Sequence, residues 1–176
     1  MPVPDSVRLA MPAEAVDVAR LQRRSWSSVP VLADAMTGIS ADETVRAWHD
    51  AIVKPPLAHC RVLVAIGDGA IVGFAVTGPS NDPDAEPTDG LIAEFVVDEP
   101  SIEAGHSSRL INAAVDTLRA DGYQVATMWL PTDADATREF LVGCGWGTDG
   151  AHREMGPEDG DVSMKLIRLV TDITTA

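Results

Sequence analysis

Cysteine is nearly absent from this chain. Only Cys60 and Cys144 occur, far apart and without the paired spacing of metal ligands, so a disulfide framework or a zinc module has no support. Two buried free thiols and no metal are the expectation. Basic residues are scarce as well, since 13 Lys and Arg face 27 Asp and Glu for a formal charge of −14. A field of that sign repels nucleic-acid phosphates and anionic lipid headgroups, so neither nucleic acid nor a membrane is an expected partner. It attracts cationic amines, although acidity serving general solubility accounts for the charge equally well. No apolar run approaches the about 20 residues that span a bilayer. The start, Met1-Pro2-Val3-Pro4-Asp5, has neither the basic nor the apolar stretch of a signal peptide. A cytoplasmic address is the expectation. Aromatic residues are only 5% of the chain and Tyr123 is the lone tyrosine, which leaves one phenol for any proton-transfer role.

What is present suits one globular domain over residues 1–176 with a substantial core, given 45% hydrophobic residues. Val7 to Ala10 reads as a short first strand, and Pro12 to about Trp26 has helix-forming composition with proline tolerated at its start. Ser28 to Ile39 reads as a loop. Ser40-Ala41-Asp42-Glu43 is a capping box, and Val45, Trp48 and Ile52 then repeat at helical spacing until Pro55-Pro56. Arg61–Ile66 and Ala70–Thr77 are β-rich runs joined by Gly67-Asp68-Gly69, a hairpin signal. A polar connection, Gly78 to Gly90, leads to the apolar strand Leu91-Ile92-Ala93-Glu94-Phe95-Val96-Val97.

After that strand the chain reaches Gly105-His106-Ser107-Ser108 and a segment with Leu110, Ile111, Ala114, Val115 and Leu118 on one helical face, ending at Asp121-Gly122. A helix N-terminus leaves backbone N–H groups unpaired and carries partial positive charge, so small residues there let an anion approach closely. A phosphate site is expected at this loop. Gln124–Leu130 is the next strand, parallel to Leu91–Val97 through the helical crossover. A further helix, capped by Asp133 or Thr132, runs to Gly143–Gly145, and strands from about Gly147 to Met155 and Val162 to Val170 close the chain. The order predicts a mixed α/β sheet of about seven strands, mostly antiparallel with one parallel crossover, flanked by about four helices.

The run from Val97 through Pro100, Ile102, Gly105 and Ser107 resembles the acetyl-CoA loop of the GNAT N-acetyltransferase superfamily. That pattern is Val-x-Pro followed by Arg/Gln-x-x-Gly-x-Gly/Ala. Here Pro100 sits one position late, Ile102 replaces the basic residue, and Ser107 replaces the second glycine. Downstream, Phe140 and Gly145-Trp146 fit the frame Asn-x-x-Ala-x-x-Phe-Tyr, then Gly-Phe or Gly-Trp, with Ala134 and Leu141 replacing the asparagine and tyrosine. The resemblance covers roughly Val7 to Thr171.

The resemblance implies acetyl transfer from acetyl-CoA to the primary amine of a small molecule or peptide, by direct attack on the thioester. It places the pantetheine arm beside the backbone of Phe95, Val96 and Val97. The diphosphate goes to the loop Glu103, Ala104, Gly105, His106, Ser107 and Ser108, with Arg109 and Arg138 as nearby cations. Glu94 is the one charge in its strand, where a carboxylate costs free energy unless paired, hydrated or used. It is the candidate general base, acting through a water, although a carboxylate turned to solvent or to a buried arginine suits the same position. Leu141 cannot protonate the departing thiolate, and no acid is assigned. The tryptophans read as core, with Trp26 an alternative wall for an acceptor pocket. Two rivals stand beside the enzyme: a catalytically impaired GNAT-like module that binds CoA or dimerises, and an unrelated α/β anion-binding regulatory domain. A homodimer is compatible with the enzyme reading too.

Overall fold

The computed structural model describes residues 5–98, 105–157 and 162–174. Its strands are β1 (Ser6–Leu9), β2 (Arg61–Gly67), β3 (Ala70–Pro79), β4 (Asp89–Val97), β5 (Val125–Pro131), β6 (Gly147–Met155) and β7 (Met164–Asp172). They form one seven-stranded sheet in the order β1-β2-β3-β4-β5-β7-β6. Every neighbour is antiparallel except β4 and β5, which are joined by a helical crossover. This is the mixed sheet expected from the sequence. The β2–β3 hairpin turns on Asp68 (φ 51°) and Gly69 (φ 79°), both left-handed, so the local twist matches that of the strands.

The helices are α1 (Ala15–Ser27), α2 (Pro30–Ala35), α3 (Ala41–Val53), α4 (His106–Ala120) and α5 (Asp135–Gly143). Among the described residues there are five rather than four, because α2 forms inside the stretch expected to be a loop. Pro30 opens it with φ already helical, and Val31 is buried beneath it. The capping box of α3 is present: Glu43 N–H donates to Ser40 Oγ at 3.1 Å and Ser40 N–H to Glu43 Oε2 at 3.0 Å. At α5 the expected cap is absent. Ala134 holds the N-cap position with no side-chain hydrogen bond, so neither Asp133 nor Thr132 caps it.

Two apolar clusters sandwich the sheet. On one face α1 presents Val18 and Leu21 to Val62, Val64, Ile66 and Phe74, with Trp48 and Ile52 of α3 alongside. On the other, Leu110, Ile111, Ala114 and Leu118 of α4 meet Ala126, Met128 and Leu130 of β5 and Leu141 of α5. Fully burying such a leucine contributes about 1.5–3 kcal/mol of transfer free energy. Cys144, expected to be buried, is exposed because it ends α5, and Cys60 is half-buried.

The central parallel pair is short. β4 and β5 match only at Asp89/Val125, Gly90/Ala126 and Leu91/Thr127, although β4 runs on to Val97 and β5 to Pro131. Past Leu91 the two strands part, and β4 faces a gap.

Candidate active site

The bulge in β4 decides where its side chains point. Val76 pairs with Glu94 and the next residue, Thr77, pairs with Ile92, so Ala93 is an extra residue in the ladder. Residues two apart on a regular strand share a face. With Ala93 inserted, Ile92 stays with the α4 cluster while Glu94 turns to the side of its partner Val76, which packs with the α1 cluster.

There Glu94 meets a polar relay. Trp48 Nε1–H donates to Gln22 Oε1 at 2.8 Å, and Gln22 Nε2–H donates to Glu94 Oε1 at 2.8 Å. An indole N–H can only donate, so it fixes the Gln22 amide with its NH₂ toward Glu94. Glu94 Oε2 is buried with no hydrogen-bond partner among the described residues. Burial pushes the carboxyl up to about 7, opposed by the Gln22 hydrogen bond, and a carboxylate titrating there is suited to accept a proton near neutrality.

Past Glu94 the main chain of β4 is half-used. Asp98 N–H donates to Val72 O at 2.7 Å, so by alternation the ladder bonds to β3 fall at Val96 and Glu94. Phe95 and Val97 therefore turn their N–H and C=O groups into the gap left by β5. An extended chain laid there can complete the missing rungs.

A groove of about 490 Å³ follows this edge and ends on α4, lined by Phe95, Val96, Val97, Gly105, Ser107 and Ser108, with Ala136, Thr137 and Phe140 of α5 opposite. Gly105 is the N-cap of α4 in left-handed geometry (φ 82°), without a side-chain cap, and the first turn carries no acid. The N–H groups of His106, Ser107 and Ser108 have no acceptor within the helix. Donors plus the helix dipole make this end fit a diphosphate, and the unpaired β4 edge fits the amide-bearing arm of coenzyme A.

The groove brings together six of the residues expected from the sequence. Glu103 and Ala104, with Ile102, lie outside the described residues. His106 is buried, its ring packs where a Cβ on Gly67 would stand, and it is not among the residues that line the groove. Arg109 does not line the groove, its guanidinium contacting His106 Nδ1 and Asp5. Arg138 is paired with Asp135 at 2.7 Å.

A second cavity of about 300 Å³ occupies the gap between β4 and β5. It shares Ser25, Phe95, Val96 and Thr137 with the groove, so the two meet at the unpaired stretch of β4. Glu94, Trp26 and Trp129 are among the residues of its wall. Trp129, read as core from the sequence, is thus a cavity residue. Leu141 is wholly buried and lines neither space. Tyr123 packs against Gly90 at the far end of β4 and lines neither space. Sequence reasoning missed Gln22, Ser25 and Thr137, since one polar residue on an amphipathic helix carries no local signal. Among the described residues no group of three or more His, Cys, Asp or Glu is placed to hold a metal ion, and no helix is long and apolar enough to cross a membrane.

The model of the Acetyltransferase (GNAT) family matches residues 20–146. This chain belongs to the GNAT acetyltransferase family. The match takes in β4, the loop and α4, so the enzyme class expected from the sequence, acetyl-CoA-dependent N-acetyltransferase, is that of the family. No curated protein matches the sequence. Among solved structures, the fold of this GNAT protein is similar to a Salmonella typhimurium protein described as an acetyltransferase and solved with its cofactor acetyl-CoA. That likeness has a TM-score of 0.76 at 15% identity over 99% of this chain and 96% of the other. An N-acetyltransferase from Staphylococcus aureus gives 0.75 at 14%, covering 97% and 99%. A ribosomal-protein-alanine N-acetyltransferase from Brucella melitensis gives 0.75 at 15%, covering 94% and 98%.

Proposed function

We propose that this protein moves the acetyl group of acetyl-CoA to a primary amine by direct attack, with Glu94 as general base. The observation that carries this reading is the meeting of groove and cavity at the unpaired edge of β4, with Glu94 among the residues that line the cavity. In this reading the amides of His106, Ser107 and Ser108 hold the diphosphate, and Phe95 and Val97 hold the pantetheine arm and orient the thioester carbonyl. The ammonium of the acceptor gives its proton to Glu94, directly or through a water. The free amine then attacks the carbonyl carbon, a C–N bond forms, the C–S bond breaks with the sulfur leaving as thiolate, and the proton shed by the new amide nitrogen passes to that thiolate or to water. A thiol of pKa near ~8.5 is a tolerable leaving group at neutral pH, so the leucine at position 141 need not abolish turnover.

Calorimetric titration with coenzyme A, followed by thiol-release assays over an amine panel, tests the reading. Micromolar binding is expected. Gly105→Asp strains a left-handed position and sets a carboxylate against the diphosphate, and should weaken binding at least about 100-fold, near 3 kcal/mol. Wild-type protein that gives no heat at millimolar coenzyme A would end the proposal. Tight binding with no turnover of any amine would favour the impaired module.

A further inference from the structure

The cavity that holds Glu94 has one other charged group in its lining, Arg153 of β6. The rest of its wall is largely apolar, with Trp26, Leu32, Met128, Trp129, Met164 and Leu166 among the residues that close it. Its size is at the low end of the roughly 300–1,000 Å³ usual for small-ligand sites, which suits a compact occupant.

In so acidic a chain most arginines are neutralised, and the contrast with the neighbouring Arg168 is instructive. Arg168 grips Asp84 through both carboxylate oxygens at 2.7 and 2.8 Å. It also holds Asp149 at 2.8 Å and Asp82 at 3.1 Å. Among the described residues Arg153 has only a loose ion pair, to Asp82 Oδ1 at 3.9 Å, beyond hydrogen-bond range, and both Asp82 oxygens already accept from Trp129 Nε1 at 3.0 and 3.2 Å. The Trp129 ring is held by that buried carboxylate, and the Arg153 guanidinium lies over it, 4.4 Å from the centroid. A guanidinium fixed on an aromatic plane keeps its N–H fork for a planar anion, which a carboxylate matches with two parallel hydrogen bonds.

We propose that the acceptor is a small primary amine bearing an apolar body and a carboxylate, with Arg153 selecting the carboxylate while Glu94 faces the amine. The proposal rests on the transfer activity above and adds its substrate class. Glu94 and Arg153 give the cavity one site for a cation and one for an anion. The apolar wall between them accounts for the body of the molecule. A plain alkylamine leaves the Arg153 fork to water, and a peptide N-terminus brings an amide where the carboxylate belongs.

The test compares matched acceptors. Phenylalanine and leucine, with their β- and γ-amino homologues, are assayed against phenylalaninamide, phenethylamine, isopentylamine and an alanyl tripeptide amide, with wild-type protein, Arg153→Met and Arg153→Lys. At least one acid should exceed its carboxylate-free counterpart by about ten-fold or more in kcat/KM. Arg153→Met should remove that advantage, and Arg153→Lys should restore part of it. The proposal is overturned if the carboxylate-free amines or the tripeptide are used as well as the acids, or if Arg153→Met lowers all acceptors alike. If coenzyme A binds but no amine is acetylated, the transfer reading fails while the site is still decided. Titration of the CoA-loaded protein with phenylalanine must then give binding that Arg153→Met abolishes, and no binding by wild type ends the proposal.

Discussion

A carboxylate on a strand of alanine, phenylalanine and valine has to be aimed, and residues far apart in the chain do this for Glu94. Ala93 turns it to the α1 face, Gln22 holds one oxygen, and Trp48 fixes which end of Gln22 does the holding. The elevated titration has a consequence for stability. The folded carboxyl titrates near 7 against 4.5 for the free group, so below the lower value both states hold the proton and nothing is lost. As pH rises from about 4.5 to 7 the unfolded chain releases its proton first, and stability falls. The loss is complete above 7 and is at most about 3 kcal/mol, less where water reaches the group. Glu94→Gln should therefore melt several degrees above wild type at pH 8 and close to it at pH 4.5. Parallel melting curves across that range would show that the carboxylate is not desolvated. The glutamine variant should also lose acetyl transfer by about 10²–10⁴-fold. Glu94, Gly105, Ser107 and Ser108 were legible in the sequence because each breaks a local pattern: a charge among apolar residues, or small residues before a helical repeat. Gln22 and Arg153 break none. Their surroundings depend on which distant side chain the fold sets beside them.

At the scale of elements, the N-terminus of α4 is seated against the β2–β3 hairpin. The buried His106 ring lies 2.6 Å (Cε1) and 2.7 Å (Nε2) from where a Cβ on Gly67 would stand. Gly67→Ala should cost about 1–3 kcal/mol by overpacking and, by shifting the helix start, weaken coenzyme A binding as well. Calorimetry and thermal melting read both, and a loss of stability with unchanged affinity would detach the hairpin from the ligand site. The hairpin turn, the α3 capping box and the crossover helix were all readable, since each is set by residues within one turn of one another. The short helix α2 was not. Its six residues are too few for a periodic signal, and it is held by the packing of Val31. The β4 bulge was equally hidden, because a register shift belongs to a pair of strands and neither strand states it alone.

For the whole molecule the charge of −14 is spread over a small body, and like charges repel more when the chain is compact. Melting temperature should rise by a few degrees between about 20 and 200 mM salt as the Debye length falls from roughly 20 to 7 Å. Acetyl transfer to a cationic amine without a carboxylate should slow over the same range as attraction is screened. A flat response in both would confine electrostatics to the site. The fold class was legible at this scale because the order of elements allows few topologies, whereas the family was legible in the run from Val97 to Ser107 that resembles the acetyl-CoA loop.

The seam between β4 and β5 has a mechanical meaning. Three matched pairs join a four-stranded leaf to a three-stranded one, so a load across the sheet concentrates on that short line, as at the tip of a notch. A chain laid in the notch would act as a splint, adding main-chain bonds across the two leaves beside the apolar core that α4 spreads under both.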